Sequence, residues 1–187
     1  MTMKNFSSKS FLLMILLFLT ILSSGAELKT CKPNGRVKAR KTPPGFCSNN
    51  PDCCIEGHYY PTYQCSPPVS QKTRAILTLS SFENEIYGPT SCSERYYSDE
   101  MHVVALSTGW YNRGARCLNN ITITAPNGKS VNAIVVDECD STVGCDEDDD
   151  FQPPCANNVV EASKGVWKAL GVPQEEWAKL PITWSPL

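Results

Sequence analysis

The chain is poor in histidine and lacks the short motifs of common hydrolases and zinc sites. Its two histidines, His58 and His102, stand alone, and its cysteines form no paired C-x2-C set, which disfavours a zinc site. No G-x-S-x-G sequence occurs, and no histidine lies near a candidate nucleophile in the sequence. Hydrolase chemistry of the serine or cysteine type therefore finds no support. We predict neither a metal nor a cofactor.

An excess of positive charge is also missing. The chain has 17 Lys and Arg against 19 Asp and Glu, a formal net charge of −2. Nucleic-acid binding requires clustered basic residues, so we expect no nucleic-acid partner. Beyond the N-terminal segment, no apolar run is long enough to cross a bilayer, and we expect no membrane association. Internal repeats and low-complexity tracts are absent from the sequence.

The N-terminus carries the one long apolar run. Lys4 and Lys9 precede the unbroken stretch from Phe11 to Leu22, and small residues follow it. A basic region, an apolar region and an A-x-A-like site are typical of a secretory signal, and the run is shorter than the ~20 residues of a membrane span. We therefore predict a signal peptide over residues 1–26 and a secreted, extracellular protein.

All ten cysteines follow this predicted signal: Cys31, Cys47, Cys53, Cys54, Cys65, Cys92, Cys117, Cys139, Cys145 and Cys155. An even number in a secreted chain predicts up to five disulfides. Five cysteines lie in residues 27–73, which are also rich in Pro and Gly and predict a loop-rich N-terminal arm. If all ten pair, at least one bridge must join this arm to the rest. Adjacent Cys53 and Cys54 should bond elsewhere, because a vicinal bridge is strained.

Beyond residue 73 the pattern changes to short β-strands. The segments AILTLSSF, HVVALST and PITWS each predict a strand, and NITITAPNGKSVNAIVVDE predicts a hairpin with Gly128 in its turn. Several strands with one main helix indicate a small β-barrel over residues 74–187.

The main helix is predicted in NNVVEASKGVWKALG. Four apolar residues there follow helical spacing: Val159, Ala162, Val166 and Leu170. Asn158 is a candidate N-cap, with Glu161 at the capping-box position. Gly171 is a natural C′ residue that ends the helix.

Two carboxylates, Asp137 and Glu161, are candidates for chemistry. Glycoside hydrolysis requires a pair of carboxylates at one cleft. The residues alone favour a structural interpretation, in which Glu161 completes the capping box and Asp137 accepts loop N–H groups at a strand end.

A second acidic feature is the run Asp146, Glu147, Asp148, Asp149 and Asp150. Dense carboxylates can bind calcium, but the glycine and alternating spacing of an EF-hand loop are missing. The run is more typical of a solvated loop, one suited to a basic partner.

The stretch ALSTGWYNRGARCLNN places aromatic and polar residues together at Trp110, Tyr111 and Asn112. Such aromatics either contact a sugar or a protein partner, or fill the core. The sequence leaves both alternatives open. The stretch ends at Asn120, which begins the N-glycosylation sequon Asn120-Ile121-Thr122.

Several segments together resemble the kiwellins, or ripening-related proteins, of plants. They include CSPPVS, LTLSSFE, VVALSTGWYNRGARCLNNITI, VVDECDSTVGCD, QPPCANNVVEASKGVWKALGV and ITWS. The resemblance extends from Cys31 to the C-terminus, without the kissper module that some kiwellins carry. It implies a six-stranded double-psi β-barrel, as in barwin and the expansin N-terminal domain.

The expansin-like pattern also implies roles for individual residues. It implies a Cys92–Cys117 bridge, and it places Glu161 and Asp137 as two carboxylates facing one groove. The expansin H-F-D motif reads Val159-Val160-Glu161 here, so its histidine is lost. Catalysis requires tightly held geometry, so we expect no enzyme and regard Asp137 and Glu161 as vestigial.

The resemblance implies a monomeric, non-enzymatic defence protein of the plant apoplast. Kiwellins bind secreted fungal chorismate mutases and block them, so the expected partner is a secreted pathogen effector. We predict a binding surface at Trp110, Tyr111, Asn112 and the acidic run 146–150. The alternative is a barrel that binds cell-wall polysaccharide or acts as a vestigial glycosidase through Asp137 and Glu161.

Overall fold

The computed structural model describes residues 30–47, 52–83 and 88–187. The predicted signal peptide lies outside these residues. The strands are β1 (Gly35–Lys38), β2 (Tyr59–Thr62), β3 (Thr73–Leu79), β4 (Val103–Ser107), β5 (Asn120–Thr124), β6 (Ser130–Cys139), β7 (Val159–Ala162) and β8 (Lys179–Pro186). These described ranges also contain two short helices, α1 (Thr108–Tyr111) and α2 (Lys164–Ala169), and two 3-10 turns, Glu147–Asp149 and Gln174–Glu176.

Six strands close into a barrel in the order β3-β7-β4-β6-β5-β8. The pairs β3–β7 and β4–β6 are parallel, and the remaining barrel pairs are antiparallel. The predicted fold class, a mainly β, six-stranded barrel of the double-psi type, is confirmed. Among the described residues, no helix is long and apolar enough to cross a bilayer.

The barrel interior is filled by alternate residues of every strand and by three tryptophans. Fully buried members include Leu77, Val104, Leu106, Ile121, Ile123, Val135 and Val160. Trp110, Trp167 and Trp184 lie among them, and the rings of Trp110 and Trp184 meet edge to face with centroids 5.2 Å apart. Edge-to-face contact is a favoured aromatic geometry. Large side chains therefore fill the interior of this small barrel.

The predicted strands and hairpin are observed. β5 and β6 pair antiparallel from Asn120↔Ile134 to Thr124↔Ser130. The turn between them uses Gly128 at φ +82°, a conformation that residues with a side chain rarely adopt.

The predicted helix from Val159 onward is wrong in its first half. Val159–Ala162 is strand β7, and the helix begins at Lys164 after Ser163. Glu161 therefore belongs to a strand and makes no capping box. The two β-branched valines suit a strand, and parallel pairing with β3 satisfies the backbone there. Gly171 follows α2 with φ +62°, as expected for a C′ residue.

The arm is more ordered than the loop-rich prediction suggests. Its strands β1 and β2 form a two-stranded antiparallel sheet. All ten cysteines pair, as Cys31–Cys65, Cys47–Cys53, Cys54–Cys145, Cys92–Cys117 and Cys139–Cys155. Three predictions are confirmed: Cys53 and Cys54 bond elsewhere, Cys92 pairs with Cys117, and one bridge, Cys54–Cys145, joins the arm to the barrel domain.

Candidate functional site

The densest negative charge of the chain lies in residues 137–150. These 14 positions contain no Lys or Arg and eight of the chain's 19 acidic residues. The eight are Asp137, Glu138, Asp140, Asp146, Glu147, Asp148, Asp149 and Asp150. We call this segment the acidic edge. It begins at the last residues of β6 and continues into the following loop. Because β4 and β6 are parallel, this loop and α1 leave the barrel from the same end.

Asp137 is held as a hydrogen-bond acceptor. Its Oδ1 accepts from the backbone N of Ser91 at 2.9 Å, from the Ser91 hydroxyl at 2.6 Å and from the backbone N of Glu138 at 2.8 Å. These three hydrogen bonds hold the carboxyl group of Asp137 in place at the end of β6. The structural interpretation of Asp137, a strand-end acceptor of loop donors, matches this geometry.

Asp137 and Glu161 lie on one face of the barrel sheet, with one strand between them. In the register, Ala105 of β4 is opposite Asp137 of β6 on one side and Glu161 of β7 on the other. Neighbouring strands are about 4.8 Å apart, so the two α-carbons lie about 10 Å apart. The sequence alone left this relationship open.

Glu161 has a strongly perturbed acidity. Burial, and secondarily the charge of Asp137, raises its pKa from an ordinary value of 4.5 to about 7. Near neutral pH the Glu161 carboxyl is therefore partly protonated. Asp137 differs in its surroundings, because it accepts three hydrogen bonds. Carboxyls in two such environments are the minimum set for acid–base chemistry.

The residue between these two carboxylates in the register is buried. Ala105 is only 1% exposed and packs in a cluster with Phe82 and Val136. A groove of about 480 Å³ lies elsewhere, lined by residues of β3, β5 and β8, and neither carboxylate lines it. The pair therefore shares a face of the sheet but not this groove.

Glu138 is a third half-buried carboxylate, and sequence reasoning missed it. Its Oε1 accepts from the Thr108 hydroxyl at 2.6 Å. Burial raises its pKa against the opposing effect of the Thr108 bond, and the charges of Asp140 and Asp137 raise it further. The pKa of Tyr111 is raised by burial, then by the charges of Glu138 and Asp137.

A β-bulge explains the position of Glu138. The β4–β6 register shifts at Val104/Ala105, so Val136 is an extra residue and Glu138 comes opposite Leu106, whose side chain faces the barrel interior. The signal for this bulge is visible in the sequence, where Val135 and Val136 break the alternation of β6. A bulge re-aims the side chains that follow it.

The acidic run 146–150 is fixed at its base and open at its tip. Asp146 lies 3.7 Å from the guanidinium of Arg40, and buried Phe151 packs edge to face on Phe46. Burial, then the charge of Asp146, raises the pKa of Asp149. Glu147 and Asp148 are exposed. Within the described residues, no group of three or more His, Cys, Asp or Glu could hold a metal ion.

The structure corrects the predicted binding surface at Trp110 and Tyr111. Trp110 is 1% exposed and Tyr111 8%, and both belong to the barrel core. The arm covers them: the Trp110 indole donates to the carbonyl of Pro67 at 2.8 Å. A Cβ at Gly109 would meet the backbone of Cys65 and Ser66. Of the predicted aromatic-side surface, Asn112 remains exposed.

Asn120, the first residue of the sequon, is exposed on β5. Its neighbours Ile121 and Ile123 point into the barrel core. Alternation along the strand therefore directs Asn120 and Thr122 outward. Thr122 donates a hydrogen bond to Asn132 on the same outer surface at 2.9 Å.

Comparison with known proteins places the chain among plant proteins of one family. The family model described as Kiwellin-1 matches residues 19–186. Putative ripening-related protein 2 of Oryza sativa subsp. japonica is 46% identical over 157 residues, 83% of this chain and 79% of that protein. Kiwellin of Actinidia chinensis var. chinensis is 49% identical over 144 residues, 76% of this chain and 67% of that protein.

Two solved structures are also similar. The apo expansin of Clavibacter michiganensis has a TM-score of 0.47 and 20% identity, covering 62% of this chain and 50% of its own. The Streptomyces papain inhibitor has a TM-score of 0.45 and 18% identity, covering 63% of this chain and 96% of its own. The family assignment itself depends on the matched model and the plant relatives, and by both the chain belongs to the kiwellin family.

Proposed function

We propose that the chain is a secreted plant defence protein that binds a protein secreted by a pathogen and inhibits it without catalysing a reaction. A secreted fungal chorismate mutase is the expected partner. Membership of the kiwellin family and five disulfides support secretion and a role in defence.

The acidic edge is the observation that carries this proposal. Two bridges, Cys54–Cys145 and Cys139–Cys155, pin its loop, so the carboxylates are presented by a constrained backbone. A preorganised surface loses little conformational entropy on binding. Eight like charges in one segment attract a basic face on a partner and accelerate association.

A stable protein complex requires more surface than this segment. Such interfaces bury about 1,600 Å² in total, about 800 Å² on each partner. Exposed Glu147 and Asp148 and the exposed Asn112 are the expected contacts from the two loops at this end of the barrel. Trp110 and Tyr111 of α1 are buried and anchor this helix to the barrel core.

The test measures binding to a secreted fungal chorismate mutase and inhibition of its activity. We expect wild type to inhibit, and Glu147→Gln/Asp148→Asn to associate several-fold more slowly with a weaker dependence on salt. Glu175→Gln/Glu176→Gln removes two exposed acids outside the acidic edge and serves as the matched control. Wild type that neither binds the enzyme nor recovers any microbial protein from infected apoplast would contradict the proposal.

A second candidate function is a barrel that cleaves wall polysaccharide. The observation in its favour is that Asp137 and Glu161 share one face and differ in environment, with the pKa of Glu161 raised to about 7. The burial of Ala105, which lies between the two carboxylates in the register, argues against an open cleft there. Incubation with β-glucan, chitin and pectin decides: reducing ends released by wild type, lost in Glu161→Gln and retained in Glu175→Gln, would establish the enzyme.

A further inference from the structure

The outward face of the arm's two-stranded sheet carries only exposed residues. The register pairs Arg36 with Pro61 and Lys38 with Tyr59, so these four side chains share one face. Arg40, also exposed, follows the end of β1 by two residues. We call these five residues the basic face. The opposite face packs inward, where Val37, Ala39 and Tyr60 surround the Cys54–Cys145 bridge.

The arm concentrates positive charge in a chain that is otherwise acidic. The whole chain has a net charge of −2, but residues 30–47 contain no Asp or Glu. The five basic residues of this range are Lys32, Arg36, Lys38, Arg40 and Lys41. Arg40 is partly neutralised by Asp146 at 3.7 Å. Among the described residues, neither Arg36 nor Lys38 lies within 4.0 Å of a carboxylate oxygen. These two cations are therefore available to an external anion.

Both of these cations lie near one exposed aromatic ring. The Arg36 guanidinium carbon is 4.5 Å from the Tyr59 ring centroid, and the Lys38 Nζ is 6.0 Å from it. Cation–π contacts of this kind hold the flexible cationic side chains near the ring. Tyr59 nevertheless remains 56% exposed, so part of its surface is free for a further contact.

We propose that the basic face binds an anionic polysaccharide whose sugars carry carboxylates, a uronate polymer. Arg36 and Lys38 pair with successive carboxylates, and the exposed part of Tyr59 packs against a sugar ring. Two residues along a strand span about 6.7 Å, so Arg36 and Lys38 are spaced along the direction of β1. An extended polymer that lies along β1 therefore meets both cations. The inference does not depend on the effector-binding function proposed above, and it uses neither Asp137 nor Glu161.

The size of the face favours a narrow polymer over a globular protein. Each strand has four residues and the sheet has two strands, so the face measures about 13 Å by 10 Å. That is a small fraction of the ~800 Å² that each partner of a stable protein complex buries. An extended chain needs a strip of this width. A membrane would require more inserted apolar surface than one tyrosine provides.

The experiment uses the full chain expressed through a eukaryotic secretory pathway and four probes. The probes are polygalacturonate, its fully methyl-esterified form, polyacrylate, and vesicles of phosphatidylcholine with phosphatidylserine. We expect polygalacturonate binding that is lost on methyl esterification and weakened by salt. Arg36→Gln/Lys38→Gln should bind polygalacturonate about tenfold more weakly. Tyr59→Ala should lose several-fold on polygalacturonate and clearly less on polyacrylate, which has carboxylates but no sugar rings.

Lys72→Gln/Arg74→Gln is the matched control, since it removes one exposed Lys and one exposed Arg outside the basic face. It should bind polygalacturonate like wild type. Equal binding by Arg36→Gln/Lys38→Gln and wild type would overturn the proposal. So would an equal loss in the control pair, or binding to the anionic vesicles without binding to polygalacturonate. All substituted side chains are exposed, so each variant is expected to retain the thermal transition of wild type.

Discussion

The indole nitrogen of Trp110 lies 2.8 Å from the carbonyl oxygen of Pro67. This hydrogen bond joins the interior of the barrel to the end of the arm. A second hydrogen bond also joins the arm to the barrel domain: the backbone N of Tyr63 donates to the carbonyl of Ser141 at 2.8 Å. With the Cys54–Cys145 bridge, these contacts hold the arm as a fixed cover, here called the lid, over one end of the barrel.

Gly109→Ala should push the lid away from the barrel and lower the free energy of unfolding. The new Cβ would meet the backbone of Cys65 and Ser66, which cannot move aside as a side chain can. Overpacking of this kind costs about 1–3 kcal/mol and sometimes more. Gly128→Ala is the control: its φ of +82° causes strain, but no atom lies within 4 Å of the new Cβ, so it should lose about 1 kcal/mol. Urea unfolding should rank Gly109→Ala as the less stable; the reverse order would contradict the lid.

Removing the long-range bridge should cost more than removing a local one. Cys54–Cys145 spans 91 residues, whereas Cys47–Cys53 spans six. In the chain-entropy description, loops of these lengths correspond to about 4–5 and about 2 kcal/mol. We expect Cys54→Ala/Cys145→Ala to lower the free energy of unfolding more than Cys47→Ala/Cys53→Ala, and to expose the arm to proteolysis. Equal losses would show that the arm is held by other contacts.

The strands could be predicted because their signals are local, and one bridge between arm and barrel could be predicted from the number of cysteines in each. Alternating Ile121 and Ile123 specify which face of β5 enters the core, and counting cysteines is enough to require a bridge from arm to barrel. Strand order is different. That β3 pairs with β7 and β8 follows from long-range contacts, which no short segment encodes.

The two errors have a physical cause in tertiary structure. Val159 and Ala162 fit helical spacing, whereas Val160 and Ala162 fit strand alternation, and pairing with β3 decides in favour of the strand. Trp110 is apolar and aromatic whether it lies in a core or a binding surface, and the arm decides in favour of the core. The fold class was therefore predictable, while the exposure of single aromatics was not.

Asn120 should carry an N-linked glycan when the chain is expressed in a plant secretory pathway. Its side chain is exposed, and Thr122 lies on the same outer face of β5. Treatment with an N-glycosidase should reduce the mass of wild type and leave that of Asn120→Gln unchanged. Asn132→Gln alters the neighbour that accepts the Thr122 hydrogen bond and should keep the glycan. An unmodified wild-type chain would contradict the prediction.

Glu161 should make stability depend on pH between about 4.5 and 7. Its pKa is raised to about 7 in the folded state, so there the folded protein holds a proton that the unfolded chain has released. The stabilisation is fully present below pH 4.5 and is lost as pH rises through 7. For wild type this loss amounts to at most about 3 kcal/mol, less where solvent reaches the carboxyl.

Glu161→Gln removes this titration, because an amide stays neutral at every pH. Urea unfolding from pH 4.5 to 7.5 should show a flatter profile for Glu161→Gln than for wild type, so that the variant gains relative stability as pH rises. Glu175→Gln, at an exposed site, should retain the wild-type profile. Glu138, whose pKa is also raised by burial, leaves a residual slope in every variant. Parallel profiles for wild type and Glu161→Gln would show that Glu161 is ionised in the folded protein, and would remove it as a candidate acid.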